Sequence, residues 1–531
     1  MNTLKLALLI IFAAAEGAAA DCSKLNAREF LENALREDVI ECVEKSPEVI
    51  RKTDGRGYNL LMTAVSSDID PLVLDYLIES LPDGVNDIAL SERDSRGWTL
   101  GHIAAAEALN PINIFVLSKN VGGLTDTIEP EVNPQDAGKT PMHLAAARED
   151  GWPFVAALLA TGYWQDVDEK DRTPLDIALG KPETVINAIL LSEGTWPDIY
   201  LEHYEHEKPA ENANCDNFLT AAFFAKADEA LVVACLTDAN QLIAVDEDGN
   251  SVLHLASAHA QDAWIIDHII ATADSPMTLL EKRNSTGKTA LHLAAETSVS
   301  PGVPLHLLAW GADPNALFKE EKRRLRKNRG ITALQMAADR KDEVRETFIL
   351  SLLAFGADTM AQDVSIGVVN NATTGGRTAL HRALIAPEPK TLLMLLEAQA
   401  SQENLVGYVM RALRGRFVKQ IGDDMGRTAL HMAASRTSDF DTLTFLIEYG
   451  FSADEQDDEG NTPLMFAAGN FADADAFLYL LEDSKKPCGQ SKSGVTVEAA
   501  LRSNKTLMTE SVNDKSGKIL SPLAILKQRC P

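Results

Sequence analysis

The stretch Gly426-Arg427-Thr428-Ala429-Leu430-His431-Met432-Ala433-Ala434 occurs in ten related copies along a chain of 531 residues. Two copies are nearly identical to it: Gly287-Lys288-Thr289-Ala290-Leu291-His292-Leu293-Ala294-Ala295 and Gly138-Lys139-Thr140-Pro141-Met142-His143-Leu144-Ala145-Ala146. Looser copies begin at Gly57, Gly97, Asp171, Gly249, Gly330, Gly376 and Gly460. A stretch that returns at intervals of roughly 20–50 residues indicates a repeat architecture, in which each unit packs only on its neighbours.

Each part of the stretch has a local structural meaning. Glycine supplies the positive φ of a tight turn. Threonine then caps a helix N-terminus, and proline or alanine follows at the first helical position. Leucine-rich segments come next and end in glycine, as at Gly311 and Gly450, which indicates a second helix with a glycine C-cap. The sequence therefore predicts repeats of turn, helix, short turn and helix.

This pattern resembles the ankyrin repeat, whose signature is Gly-x-Thr-Pro-Leu-His-x-Ala-Ala. The resemblance covers most of the chain and implies an all-α ankyrin-repeat solenoid, with helix-turn-helix repeats joined by short turns or hairpins. It also implies that the histidines at the signature position bond neighbouring turns. These are His102, His143, His254, His292, His381 and His431. The resemblance leaves the function open, because this scaffold binds unrelated partners.

The spacing of the copies predicts two consecutive arrays. We expect a first array with an N-terminal helical cap at 21–200, a linker at 201–214 and a second array with its own helical cap at 215–484. A degenerate repeat or cap should follow at 485–531, because the terminal units of a solenoid are atypical. Within it, the segment 521–526 resembles one more first helix.

Residues 1–20 have the pattern of a secretory signal peptide. Lys5 gives the positive start, Leu6 to Ala15 form the apolar run, and Ala18-Ala19-Ala20 form a small-residue cleavage site. The apolar run is shorter than the ~20 residues that a membrane span needs. We therefore expect an exported protein of bacterial type, located in the periplasm or secreted.

The six cysteines fit an oxidising compartment, in which an even count favours disulfides. Two pairs share a separation of 20 residues, and each brackets a helical hairpin at the start of an array. The predicted disulfides are Cys22–Cys42, Cys215–Cys235 and Cys488–Cys530. Free buried thiols are the alternative, and a zinc site is disfavoured because the chain has no Cys-x-x-Cys.

The formal net charge of −29 argues against nucleic acid as a partner, because nucleic-acid binding needs a basic surface. No Gly-x-Ser-x-Gly and no His-Glu-x-x-His is present. Two Gly-Lys-Thr strings lack the upstream glycine of a phosphate loop and lie in repeat turns. We therefore assign no catalytic residue, no cofactor and no metal ligand, and we expect a non-enzymatic protein.

Positive charge is concentrated in two inserts that precede repeat turns, at 319–329 and 411–419. We expect them on one edge of the solenoid, where they would contact an acidic partner. The second insert has the spacing of an amphipathic helix, which suits a partner's groove or weak contact with an anionic membrane surface. Solvated loops are the alternative. The candidate partner-binding residues are Lys322, Arg323, Arg324, Arg326, Lys327, Arg411, Arg414, Arg416 and Lys419.

Three functional hypotheses follow. The leading one is a monomeric, non-enzymatic protein-protein interaction scaffold that recognises another protein through repeat turns and inner helices. The second is a secreted effector or a toxin-neutralising, immunity-like binder. The third is a metal-binding or enzymatic protein with a site at the junction of the two arrays. His203 and His206 lie there, three residues apart among glutamates, although a solvated linker also explains them.

Overall fold

The computed structural model describes residues 52–79, 92–160, 167–192, 210–318, 330–402, 421–436 and 440–530, with short gaps inside these ranges. It also describes six single residues, namely Leu31, Val39, Cys42, Val43, Lys45 and Pro197. The chain divides into two compact units, Met1–Glu193 and Gly194–Pro531, which are described separately.

The first unit contains four described helix pairs in two layers. The first helices of successive pairs pack on one another, and the second helices form the other layer. The pairs are α1 (Leu60–Ser66) with α2 (Pro71–Glu79), α3 (Leu100–Glu107) with α4 (Ile112–Asn120), α5 (Pro141–Ala146) with α6 (Trp152–Ala160), and α7 (Pro174–Leu179) with α8 (Val185–Leu191).

The second unit begins with the short hairpin of α9 (Ala221–Phe224) and α10 (Glu229–Cys235), followed by α11 (Ala239–Ile243). The next helices are α12 (Val252–His259), α13 (Trp264–Ala271), α14 (Pro276–Glu281), α15 (Ala290–Thr297), α16 (Val303–Ala309), α17 (Ala333–Asp339) and α18 (Arg345–Ala354). Then come α19 (Ala379–Ala383), α20 (Pro389–Gln402), α21 (Ala429–Arg436), α22 (Phe440–Glu448), α23 (Pro463–Asn470), α24 (Ala474–Asp483), α25 (Val497–Ser503), α26 (Lys505–Thr509) and α27 (Pro522–Arg529). The same two layers run through this unit, with α12, α15, α17, α19, α21, α23 and α25 in the first.

The turn glycines are required by both backbone conformation and space. Gly376 has φ of +74°, and a Cβ there would lie 2.7 Å from the backbone nitrogen of Asp424 in the next turn. At Gly138 a Cβ would lie 2.5 Å from the nitrogen of Glu169. Asp171 occupies the glycine position of its own repeat and also has a positive φ, of 54°.

The layer of first helices is close-packed because its contact residues are small. Ala433 and Ala434 of α21 are both 0% exposed, and their counterparts Ala294 and Ala295 of α15 are as well. Interiors at this packing density accept little extra volume, so these positions are restricted to small side chains.

Two short antiparallel strand pairs supplement the helices in the described residues. One pairs β1 (Val368–Val369) with β2 (Ala372–Thr373), and the other pairs β3 (Val512–Asn513) with β4 (Ile519–Leu520). Each is a two-residue ladder, so neither changes the helical character of the fold.

The last helix, α27, differs from the sequence expectation of another first helix. It packs against α24, which is a second helix, and against α25. It therefore occupies the second-helix place of the final repeat. The helix that directly follows α25, α26, has only five residues and leaves that place open.

Candidate partner-binding face

The histidines of the repeat form a series of bonds from each turn to the next. In His102, His292 and His381, Nδ1 accepts from the backbone N–H of the capping threonine. Nε2 therefore carries the hydrogen, and it donates to a carbonyl of the following repeat. The six acceptors are the carbonyl oxygens of Lys139, Arg172, Lys288, Ile331, Arg427 and Asn461, at 3.0–3.1 Å.

Burial keeps these histidines neutral. Desolvation lowers the pKa of His102, His292 and His381 to about 4. Gln335 fills the same position in its repeat, with Oε1 accepting from Thr332 N–H at 2.9 Å and Nε2 donating to Arg377 O at 2.9 Å. Because the amide of Gln335 makes the same two bonds, the histidines act as neutral donors and acceptors. The histidine series is therefore structural.

A second series of bonds runs back to the preceding repeat. Asn187 donates to Ala146 O at 3.0 Å, and Asn504 donates to Phe471 O at 2.7 Å. These bonds satisfy carbonyls left open at helix C-termini. The side chains that act in this way are Asn113, Arg148, Asn187, Arg340 and Asn504, whereas Arg345 reaches forward to Ala386 O.

In the first unit, a cluster of aromatic and charged side chains joins two turns. Arg96 pairs with Asp94 at 2.7 Å and with Glu107 at 2.7 Å, and its guanidinium lies 3.7 Å over the Trp98 ring. The Tyr58 hydroxyl donates to Glu107 at 2.8 Å. Burial, followed by the bond to Glu107, raises the pKa of Tyr58. The bonds of Arg96 and Tyr58 to the carboxylates fix the two turns, whereas the buried Nε1 of Trp98 has no hydrogen-bond partner among the described residues.

In the second unit, two cavities open on the face formed by turns and first helices. The first has a volume of about 330 Å³ and the second about 300 Å³. Residues just after a turn glycine and residues late in a first helix line both of them. The first is lined by Asn250, Leu255, His259, Lys288, Leu293 and Thr297, among others. The second is lined by Met425, Arg427, Met465, Phe466, Asn470 and Val495, among others. We call this surface the inner face.

Two of the predicted disulfides lie within the described residues. Cys215 is bonded to Cys235, with their Cα atoms 5.2 Å apart, and Cys488 is bonded to Cys530, with their Cα atoms 5.5 Å apart. Cys42 is also disulfide-bonded. Its predicted partner, Cys22, lies outside the described residues, so that pairing stays a prediction.

The other sequence-based sites fall on residues that the structure does not describe. They comprise both basic inserts, with all nine candidate partner-binding residues, the signal segment 1–20, and His203 and His206. Among the described residues, no group of three or more His, Cys, Asp and Glu is placed to hold a metal ion. In that same part of the chain, every helix is too short or too polar to cross a membrane.

Comparison with known proteins identifies ankyrin repeats in one part of the chain. The family model described as ankyrin repeats (3 copies) matches residues 398–490. No curated protein matches the chain. Together with the helix pairs and turn glycines, the match confirms the prediction of an all-α ankyrin-repeat fold.

The sequence reasoning missed the inner-face residues that line the cavities. Arg427, Phe466 and Asn470 lie within or beside the repeat motif, in the turns and inner helices that we expected to recognise a partner, but we named no individual residue there. The sequence does contain a pattern that indicates this surface: the residue after the turn glycine and the residue nine places later vary between copies. Because packing restricts the other positions of the repeat, the variable positions indicate the surface that is available for a partner.

Proposed function

We propose that this protein is a non-enzymatic scaffold that recognises another protein through the turns and first helices of its repeats. Ankyrin repeats generally mediate protein-protein interaction, and residues 398–490 match their family model. The observation that carries the proposal is the pair of cavities on the inner face of the second unit.

These cavities have the composition of a binding surface. Leu293 and Phe466 are partly exposed apolar side chains in the two cavities, and polar residues such as Asn250 and Asn470 surround them. Apolar centres with polar rims are typical of protein interfaces. A volume near 300 Å³ lies at the lower end of the range for ligand pockets and suits one or two side chains of a partner.

We also propose that the protein works outside the cytoplasm, as the signal-like segment 1–20 suggests. The bonds Cys215–Cys235 and Cys488–Cys530 support this, because structural disulfides persist in oxidising compartments. Cellular fractionation with an antibody against the full chain, compared with cytoplasmic and periplasmic markers, would test the location. A chain found only with the cytoplasmic marker would contradict it.

The scaffold proposal can be tested by filling the cavities. Thr297→Arg and Asn470→Arg place long side chains in the two cavities from exposed positions, so the fold should tolerate both. The matched control is Met277→Arg, at a position that is 51% exposed and lines neither cavity.

The readout is crosslinking and affinity capture from an envelope extract, with mass spectrometry of the bound proteins. We expect the wild type and the control to retain the same specific protein and the double variant to lose it. Retention by all three chains at equal yield would place binding elsewhere and overturn the role of the inner face.

A further inference from the structure

Three arginines lie in two consecutive repeats of the second unit, at the turn and helix-end positions that form the inner face. Arg377 and Arg427 each follow a turn glycine, and Arg436 ends α21, the first helix of the repeat that begins at Gly426. The turns of the two repeats are in direct contact, because Asp424 N–H donates to Gly375 O at 2.8 Å. The protein as a whole carries a formal net charge of −29, so this concentration of positive charge is unusual for the chain.

Two buried turn carboxylates close to these arginines are committed to other bonds. Asp423 pairs with Arg427 at 2.6 Å and is 6% exposed. Asp363 accepts from the backbone N–H of Arg377 at 2.8 Å and pairs with Arg382 at 2.9 Å. Each of these carboxylates is held inside its turn, so neither is available for the guanidinium of Arg436.

Arg436 and Arg377 retain unused hydrogen-bonding capacity within the described part of the chain. The buried Nε of Arg377 has no hydrogen-bond partner there, and the exposed Arg436 has no ion pair there. Although Arg436 has a large exposed surface, desolvation of its partly buried guanidinium, followed by repulsion from Arg377 and Arg427, lowers its pKa. Placement at a helix C-terminus stabilises a cation, but it does not explain why three cations lie together.

Of the three arginines, Arg427 lines the second cavity, together with Met465, Phe466 and the carboxylates of Asp457 and Glu459. A ligand that matches both the apolar cavity and the positive charge of the arginines has an apolar group in the cavity and an anion beside it. Arginine binds carboxylates through paired N–H bonds of fixed geometry, which favours a planar carboxylate at this place.

We propose that Arg377, Arg427 and Arg436 form a binding site for an acidic side chain of a partner's peptide segment, whose neighbouring apolar side chain enters the cavity beside Phe466. This inference rests on the proposed scaffold function and specifies the chemistry of the partner. None of the three arginines belongs to the basic inserts at 319–329 and 411–419.

The test uses the full chain as bait for a phage-displayed library of random dodecapeptides. Three baits are compared: the wild type, Arg436→Gln and Arg502→Gln. Arg502 is the matched control, because it is also an exposed arginine near the end of a first helix but is paired with Glu498 at 2.6 Å. Arg377→Gln serves as a second variant of the site, and melting curves establish that every bait is folded.

We expect the wild type and Arg502→Gln to select peptides with Asp or Glu beside a large apolar residue. Arg436→Gln and Arg377→Gln should lose the acidic preference. Each should bind a synthetic copy of the leading wild-type peptide about tenfold more weakly, which is the order of one charge-assisted hydrogen bond. That affinity should also fall as salt rises.

Two other outcomes separate the inference from the proposed function. Selected peptides without acidic preference, or the same acidic consensus on Arg436→Gln, would overturn the arginine site and leave the scaffold function standing. A wild-type bait that selects no peptide at all would overturn the scaffold function on this face, and the arginine site with it.

Discussion

Asp267 of α13 and His306 of α16 are hydrogen-bonded to each other inside the layer of second helices, with side chains only 0% and 2% exposed. The indole N–H of Trp310 donates to the second carboxylate oxygen of Asp267 at 2.5 Å. The ring of Trp264 meets His306 edge to face at 4.8 Å. This polar network therefore links two neighbouring repeats through groups that water does not reach.

Removing one member of this network should be strongly destabilising. His306→Ala leaves the Asp267 carboxylate buried without its imidazole partner, which costs about 3–5 kcal/mol. The control is His259→Ala, at a partly exposed position late in α12. Urea denaturation followed by circular dichroism gives both free energies. Equal losses for the two variants would contradict the importance of the network.

The neutral histidines predict a dependence of stability on pH. The pKa of His381 is about 4 in the folded protein and about 6.5 in the unfolded chain. Between these values the unfolded chain binds more protons, so the stabilisation is complete above pH 6.5 and is lost as the pH falls towards 4. The slope is about 1.4 kcal/mol per pH unit for each such histidine.

His381→Gln provides the matched variant, because Gln335 already fills the equivalent position with the same bonds. Denaturation between pH 7.5 and 4.5 should show a shallower loss of stability for this variant than for the wild type. Parallel profiles would mean that His381 does not titrate on unfolding in this range.

The turn glycines allow a comparison at constant backbone conformation. Gly376 and Gly356 have φ of +74° and +77°, but a Cβ at Gly376 would meet Asp424 at 2.7 Å, whereas at Gly356 nothing lies within 4 Å. Alanine at a positive φ costs roughly 1–2 kcal/mol, and Gly376→Ala adds displacement of the next turn. We therefore expect Gly376→Ala to lower the melting temperature distinctly more than Gly356→Ala. Equal shifts would show that the turns have room to separate.

The disulfides make a prediction for the ends of the repeat arrays. Closing the 42-residue loop between Cys488 and Cys530 stabilises the folded chain by roughly 4 kcal/mol in the chain-entropy model. Reduction should therefore release α27 first, detected as faster hydrogen exchange in residues 519–530 than in α23.

Peptide mapping without reduction should also recover a Cys22–Cys42 peptide. A free Cys22 would disprove that pairing.

The sequence predicted the elements that a fixed motif defines. The positive φ of Gly426 and the cap at Thr428 follow from nine residues, because each depends on local conformation, whereas the bond of His431 to the next turn was implied by the resemblance to the ankyrin repeat. The disulfide Cys215–Cys235 followed from the duplicated spacing of 20 residues, and Cys488–Cys530 followed from the position of these two cysteines around the C-terminal cap.

The structural features that the sequence did not predict depend on contacts between repeats, which no single motif encodes. Asp267 and His306 lie in second helices whose sequences vary, so their separation of 39 residues gave no sign of a bond. The arginine cluster was hidden because Arg377 and Arg427 stand at an ordinary turn position. The place of α27 was mistaken because its Ser-Pro-Leu start resembles a first helix, whereas packing on α24 decided its layer.

Because of the two series of bonds between repeats, each repeat depends on the repeat that follows it in the chain. A repeat such as the one beginning at Gly460 receives two donors from its successor: Lys492 N–H donates to Glu459 O in its turn at 2.9 Å, and Asn504 donates to Phe471 O at its helix end. During synthesis on the ribosome, the polar groups of a repeat therefore lack these hydrogen-bond partners until the next repeat has been made. Folding during synthesis should lag one repeat behind translation. At the end of α24, Arg529 of α27 donates to Ser484 O at 2.8 Å, so this helix end is satisfied from within the last described repeat.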